Sequence, residues 1–281
     1  MFRYAAANAR FAAREQGVRV LQALAFPHAK LPAPRVEVLV FDRDDQLFAL
    51  HGDKQAAGYF RASNDVTFEP HLLVLSAPRG GMIAEWSDLR QMALHEWTHG
   101  FVRAEMPRAP TWLNEGLATY WMTMEFDGNS TDVIVGRPTY LTPAGEWPPL
   151  ADVIGADAQQ FYDRRDRLPY YSASWGVVHY LYEHDAAKVA KLGELLAAGR
   201  EQADAWRTVV GMAPAALDAE LRARYGSDEG LAHRMTRPAL APVDPEAVRA
   251  LSPAEVHILW ARAAGWDDDD TEKRARAAKR G

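Results

Sequence analysis

Two histidines four residues apart, with an acid directly after the first, sit in the stretch "MALHEWTHGFV", residues 92–102. Residues four apart on an α-helix share a face and lie about 6 Å apart along the axis. The spacing predicts a helix from a cap at Ser87 to about Glu105, with Leu89, Met92, Ala93, Trp97 and Phe101 as its core stripe. On such a helix His95 and His99 can converge on one ion at metal–nitrogen distances of about 2.0–2.1 Å. Glu96 stands one step round from His95, within reach of water beside the ion but not of the ion itself, which is the place of a general base. Taken alone, the pattern also suits two surface histidines and an incidental glutamate.

The next segment bears on that choice. "MPRAP", residues 106–110, ends the first helix, and a second begins near Thr111 with "TWLNEGLATYWM". A catalytic zinc site needs three protein ligands and one open position. Glu115, with 15 residues between it and His99, can supply the third if the two helices fold back on each other. Two imidazoles and one carboxylate leave the centre at a net charge near +1, which lowers the pKa of water held there. By itself Glu115 also reads as an acid facing the positive end of a helix. Asn114 suits either a ligand-orienting role or simple packing.

Composition excludes several other chemistries. The 281 residues contain no cysteine, which removes disulfides, thiolate zinc sites and thiol catalysis. Lys and Arg are scattered, matched by acids, and the net charge is −6, so no basic field for nucleic acid exists. No apolar run approaches the roughly 18 residues of a membrane span. The segment "MFRYAAANARFAAREQGVRVLQALAF" carries Arg3, Arg10, Arg14 and Arg19 through its length, so it reads as a domain helix ending before Pro27 and not as a signal peptide. The compartment is left open, as is the oligomeric state.

The order of elements predicts an α+β fold. "RVEVLVF", residues 35–41, and "VTFEPHLLVLSA", residues 66–77, read as strands, the second interrupted near Pro70 and carrying His71 on an edge. Gly80 and Gly81 read as a turn, and residues 127–155 as loop with a short hairpin. From about residue 157 the chain is helical in character, broken by Gly and Pro. Residues 1–235 form the expected domain, with a helix and small mixed sheet over about 1–86 and active-site helices and a helical lobe over about 87–235. Residues 236–281 read as a linker, one helix ("SPAEVHILWARAAG") and a charged tail containing "DDDD".

"HEWTH" followed after 15 residues by the Glu of "WLNEGLA" resembles the gluzincin zinc metallopeptidases, most closely the bacterial peptidase MA-like domains and more distantly the aminopeptidase-N-type enzymes. The likeness covers roughly residues 35–235. It implies a zincin-like fold, Zn2+ held by His95, His99 and Glu115, and Glu96 as general base. "LPYYSASWGVVHYL", residues 168–181, is similar to the segment where these enzymes place a tyrosine that donates to the oxyanion. The matching position is Tyr171, with Tyr170 as the competitor. The implied reaction is hydrolysis of a peptide or protein substrate, paired as an added strand along a sheet edge. Aminopeptidase specificity is not implied: "GGMIAEW" lacks the Glu-Asn pair that captures a free amino end, and the gap before Glu115 is short for that group. Two other readings stand beside this one: a catalytically silent zincin-fold scaffold, and a zinc hydrolase of a non-peptide amide or ester.

Overall fold

A computed structural model describes residues 8–29, 36–41, 43–51, 58–61, 71–76, 86–127, 131–138, 142–163, 166–225 and 231–240, together with Ala254 and Ala261. The expected interruption at Pro70, the Gly80–Gly81 turn, the "DDDD" tail and all but two residues of the C-terminal helix lie outside them. In chain order the elements are α1 (Asn8–Ala25), β1 (Val36–Phe41), α2 (Asp44–His51), β2 (Gly58–Arg61), β3 (His71–Ser76), α3 (Trp86–Glu105) and α4 (Thr111–Met122). Then follow β4 (Glu125–Phe126), β5 (Asp132–Val135), a 3-10 turn (Ala144–Glu146), α5 (Leu150–Gly155), α6 (Ala158–Tyr162), α7 (Leu168–Asp185), α8 (Ala187–Ala197), α9 (Gln202–Val209), α10 (Pro214–Arg224) and β6 (His233–Thr236). The fold is α+β.

The chain divides into two compact units. The first comprises Met1–Glu15, Pro32–Ala93 and Val243–Gly281. Its sheet has the order β1-β3-β2, with β1 parallel and β2 antiparallel to β3, so it is mixed as expected. Side-chain pattern explains the order. On β1, buried Leu39 and Phe41 flank exposed Val40, the alternation of a strand covered on one face. On β3, Leu72, Leu73, Val74 and Leu75 are all buried, as a strand covered on both faces requires. β3 is therefore the middle strand, and the edge placement expected for His71 is corrected. Leu39, Phe41, Leu72 and Val74 pack with Leu47 of α2, a helix the sequence reading passed over.

The second unit comprises Gln16–Leu31 and Leu94–Pro242. The stripe of α3 that enters its core is Leu94, Thr98, Phe101 and Val102, continued by Met106. Met92 and Trp97 are only half-buried, Trp97 packing against this core from its margin. Phe101 stacks on Phe26, ring centroids 5.6 Å apart, which anchors the end of α1. Helix α3 begins at Trp86, one residue ahead of Ser87, so Ser87 lies inside the first turn and not before it.

Helix α4 is buried almost all round: every residue from Glu115 to Met122, with Trp112 and Leu113, is inside. It packs along α7, and a glycine permits the approach. A Cβ at Gly116 would stand 2.5 Å from the Ser174 carbonyl oxygen of α7; elsewhere on α7, a Cβ at Gly176 would stand 2.5 Å from the Trp147 indole, which packs there instead. The expected hairpin in residues 127–155 is present as β4 and β5, starting slightly earlier. Its third strand, β6, arrives from residues 233–236 and pairs antiparallel with β5, which no local pattern announced. Helix α5 also lies inside the stretch read as loop. Arg222 of α10 holds the segment that leads into α5 by donating to the carbonyls of Ala144, Trp147 and Pro148.

Gly116→Ala tests the α4–α7 contact. Alanine gains about 1 kcal/mol of helix propensity, but over-packing against a backbone atom costs about 1–3 kcal/mol or more. A backbone carbonyl cannot rotate away, so thermal unfolding of this variant is expected several degrees below wild type; an unchanged or raised Tm contradicts the packing described.

Candidate metal centre

Helices α3 and α4 bring together the residues that their spacing singled out. His95 and His99 project from one face of α3, ring centroids 4.7 Å apart and edge to face. Glu115, in the second turn of α4, lies opposite them. Its Oε2 is 3.4 Å from Nε2 of His95 and 3.6 Å from Nε2 of His99. The donor atoms of all three lie within 4.8 Å of one another.

These separations are those of ligands round a small cation. Tetrahedral donors at zinc distances stand about 3.3 Å from each other, close to both values. The carboxylate oxygen that faces the imidazoles is buried and accepts no hydrogen bond. A bare buried carboxylate oxygen between two ring nitrogens is unfavourable unless a cation or proton sits among them. Tautomer choice agrees: Nδ1 of His99 is 3.0 Å from Oδ1 of Asn114, so it donates there and leaves the Nε2 lone pair facing Glu115. Asn114 thus sits where an orienting group belongs, one residue before the carboxylate it helps to face. The three side chains could hold a metal ion.

The electrostatics follow from burial. Glu115 is 3 % exposed, and it carries the only charge on α4. Desolvation pushes its carboxyl up, but positive charge on the facing His99 and His95 rings and the Tyr162 hydroxyl outweigh this and hold it at about 2; with the rings neutral, a cation among the three would act in the same direction. Glu96 is likewise buried, and its charge acts on Tyr162 as that of Glu115 does. Burial, then the facing Glu115 carboxylate, push the Tyr162 hydroxyl far above the ordinary range and keep it a donor. That hydroxyl donates to Oε1 of Glu115.

Of the two expected tyrosines, Tyr171 is half-buried with its ring 6.4 Å from that of His95. Tyr170 is buried and packs edge-on against Phe161. Tyr162 went unnoticed in the sequence. Only the "DAQQFY" stretch, whose Asp157 and Gln160 form a capping box, hinted that a short helix would fix it.

A second group, His179, Glu183 and His233, also has donor atoms within 4.8 Å of one another, beside a cleft of about 310 Å3. Most of its lone pairs are taken. His179 Nε2 donates to the Leu231 carbonyl while its Nδ1 accepts from the Tyr225 hydroxyl at 2.9 Å. Nδ1 of His233 accepts from Tyr120 at 2.6 Å, and Glu183 pairs with Arg224. This network is structural: it ties β6 to α4 and α7, with Tyr120 stacked on Tyr182.

The network generates a pH prediction. Burial lowers the His179 pKa to about 4 and lowers that of His233. An unfolded histidine titrates near 6.5, so below that pH the unfolded chain binds more protons. The stability from neutral His179 is full above about pH 6.5 and is lost as pH falls towards 4, about 3 kcal/mol in all. Denaturant unfolding of His179→Gln should show a shallower loss between pH 7 and pH 4 than wild type; parallel curves contradict this.

A metal prediction accompanies it. Zn2+ at about 100 times its Kd should stabilise the metal-free protein by about 2.7 kcal/mol. The matching rise in Tm should vanish in His95→Ala and in His99→Ala. A rise of equal size in those variants places the binding elsewhere.

No protein-family model matches the chain, and no curated protein matches it, so these side chains alone carry the functional reading.

Proposed function

We propose that the chain is a zinc-dependent metallohydrolase of gluzincin type and zincin-like fold, acting as a peptidase on a peptide or protein. One observation carries this reading: a bare, buried Glu115 oxygen lies between the Nε2 atoms of His95 and His99, with the buried carboxylate of Glu96 on the same helix turn. His95, His99 and Glu115 would hold Zn2+. Once bound, the ion supplies a Lewis acid that polarises a scissile carbonyl and acidifies water. A set of two imidazoles and one carboxylate also suits ferrous iron; a buried base beside it favours hydrolysis.

The remaining work falls to the protein's own groups. Glu96 accepts the proton of the attacking water and returns it to the leaving amine, so its carboxylate ends the cycle as it began. Tyr171 directs its hydroxyl at the carbonyl oxygen as negative charge develops there. Its half-exposed position beside His95 supports that role over buried Tyr170. Tyr162 is committed to Glu115 and is not free to serve. Asn114 keeps His99 in the tautomer that offers Nε2.

Glu96→Gln keeps shape and removes the base. Loss of a general base is worth typically 10²–10⁴-fold, so peptide-library cleavage should fall at least a hundredfold while elemental analysis still finds one zinc per chain. Normal turnover in this variant, or stoichiometric iron in the wild type, would overturn the mechanism. Stoichiometric zinc with no wild-type cleavage of any peptide or ester would favour a silent scaffold.

A further inference from the structure

We infer that Tyr162 is a positioning residue that keeps Glu115 a one-oxygen ligand, an inference that rests on the metallohydrolase reading above. A carboxylate can bind a metal through one oxygen or both. Here the two oxygens of Glu115 are in different circumstances. Oε1 accepts the Tyr162 hydroxyl. Oε2 accepts nothing and faces both ring nitrogens, at 3.4 and 3.6 Å. One oxygen is occupied and the other is left for the ion.

The phenol is held firmly enough to enforce this. Tyr162 ends α6, whose start is fixed by the Asp157–Gln160 capping box. Its ring packs edge-on against fully buried Phe161, centroids 5.5 Å apart. The Arg167 guanidinium lies over the ring, 5.9 Å from its centroid. Upstream, Gln202 of α9 donates to the Ile154 carbonyl at 2.7 Å and ties down the segment that leads into α6. The hydroxyl therefore reaches Glu115 from an element other than α3 or α4, and it constrains the one ligand that the histidine helix does not carry.

The chemical consequence is coordination number. Three single-atom ligands leave a tetrahedral centre with one open position, the arrangement that hydrolysis uses. Without the hydroxyl, Oε1 is a bare buried oxygen and turns towards the ion, which fills the open position. Groups that orient metal ligands in this way are worth typically 10–100-fold in metal affinity or activity.

The test uses the full chain loaded with Co2+ in place of zinc, read by visible absorption. Wild type should show the intense bands of a four-coordinate centre. Tyr162→Phe keeps the ring and its packing and removes one oxygen; its bands should weaken as both Glu115 oxygens bind, and zinc affinity in chelator competition should fall 10–100-fold. Tyr171→Phe should leave bands and affinity unchanged. A five-coordinate spectrum in wild type overturns the inference even if Tyr162→Phe does not fold. Bands and affinity in Tyr162→Phe equal to wild type overturn it as well, while leaving the metallohydrolase reading intact. Wild type that binds neither Co2+ nor zinc overturns both.

Discussion

A single charge in the middle of an apolar helix governs the second unit. Glu115 is the only charged residue of α4, and its neighbours there are almost all buried. An isolated carboxylate in such surroundings would neutralise or drive the helix outward. It stays ionised where positive charge, on the two imidazoles or on a cation among them, and a phenol face it. Each partner then needs its own support: Asn114 for His99, Phe161 for Tyr162, and the Leu94–Thr98–Phe101–Val102 stripe for the helix that carries both histidines.

Packing and site geometry are thereby the same problem. The distance between α4 and α7 is set by Gly116 meeting the Ser174 carbonyl, one residue from the carboxylate. Tyr171 lies on α7, so the same contact sets where its ring stands relative to His95. The aromatic network at the far end of these helices, Tyr120, Tyr182, His179 and His233, closes the unit by fastening β6. It contains two histidines and an acid in metal-like proximity, yet both nitrogens of His179, Nδ1 of His233 and the Glu183 carboxylate are engaged by other groups. The contrast between the two clusters is the contrast between satisfied and unsatisfied lone pairs.

Much of this was legible in the residues. An i, i+4 pair is a property of the helix itself, so His95 and His99 needed only the periodicity of residues 87–105 to be placed together. Glu115 required one further step, a helix reversal announced by "MPRAP". At Trp97 the helical spacing suggests core, and the structure covers only part of the ring: it stacks on Phe101 and packs against the core while staying half-buried. The edge assignment of His71 failed because which strand is central depends on what lies beside it. The continuous apolar run of β3 was the available signal.

The sequence by itself determined these elements and the side chains they carry: two successive helices bearing two imidazoles, a glutamate beside the first of them, and a second glutamate. Those are local facts, fixed by spacing along the chain. Only the tertiary structure decided which contacts across the chain complete them. Tyr162 meets Glu115 from 47 residues away, and β6 reaches β5 from about 100 residues away, as the pairing of His233 with Val135 shows. No periodicity encodes such meetings, because they arise from how buried faces pack and how buried polar atoms find partners, a global balance that no local stretch contains.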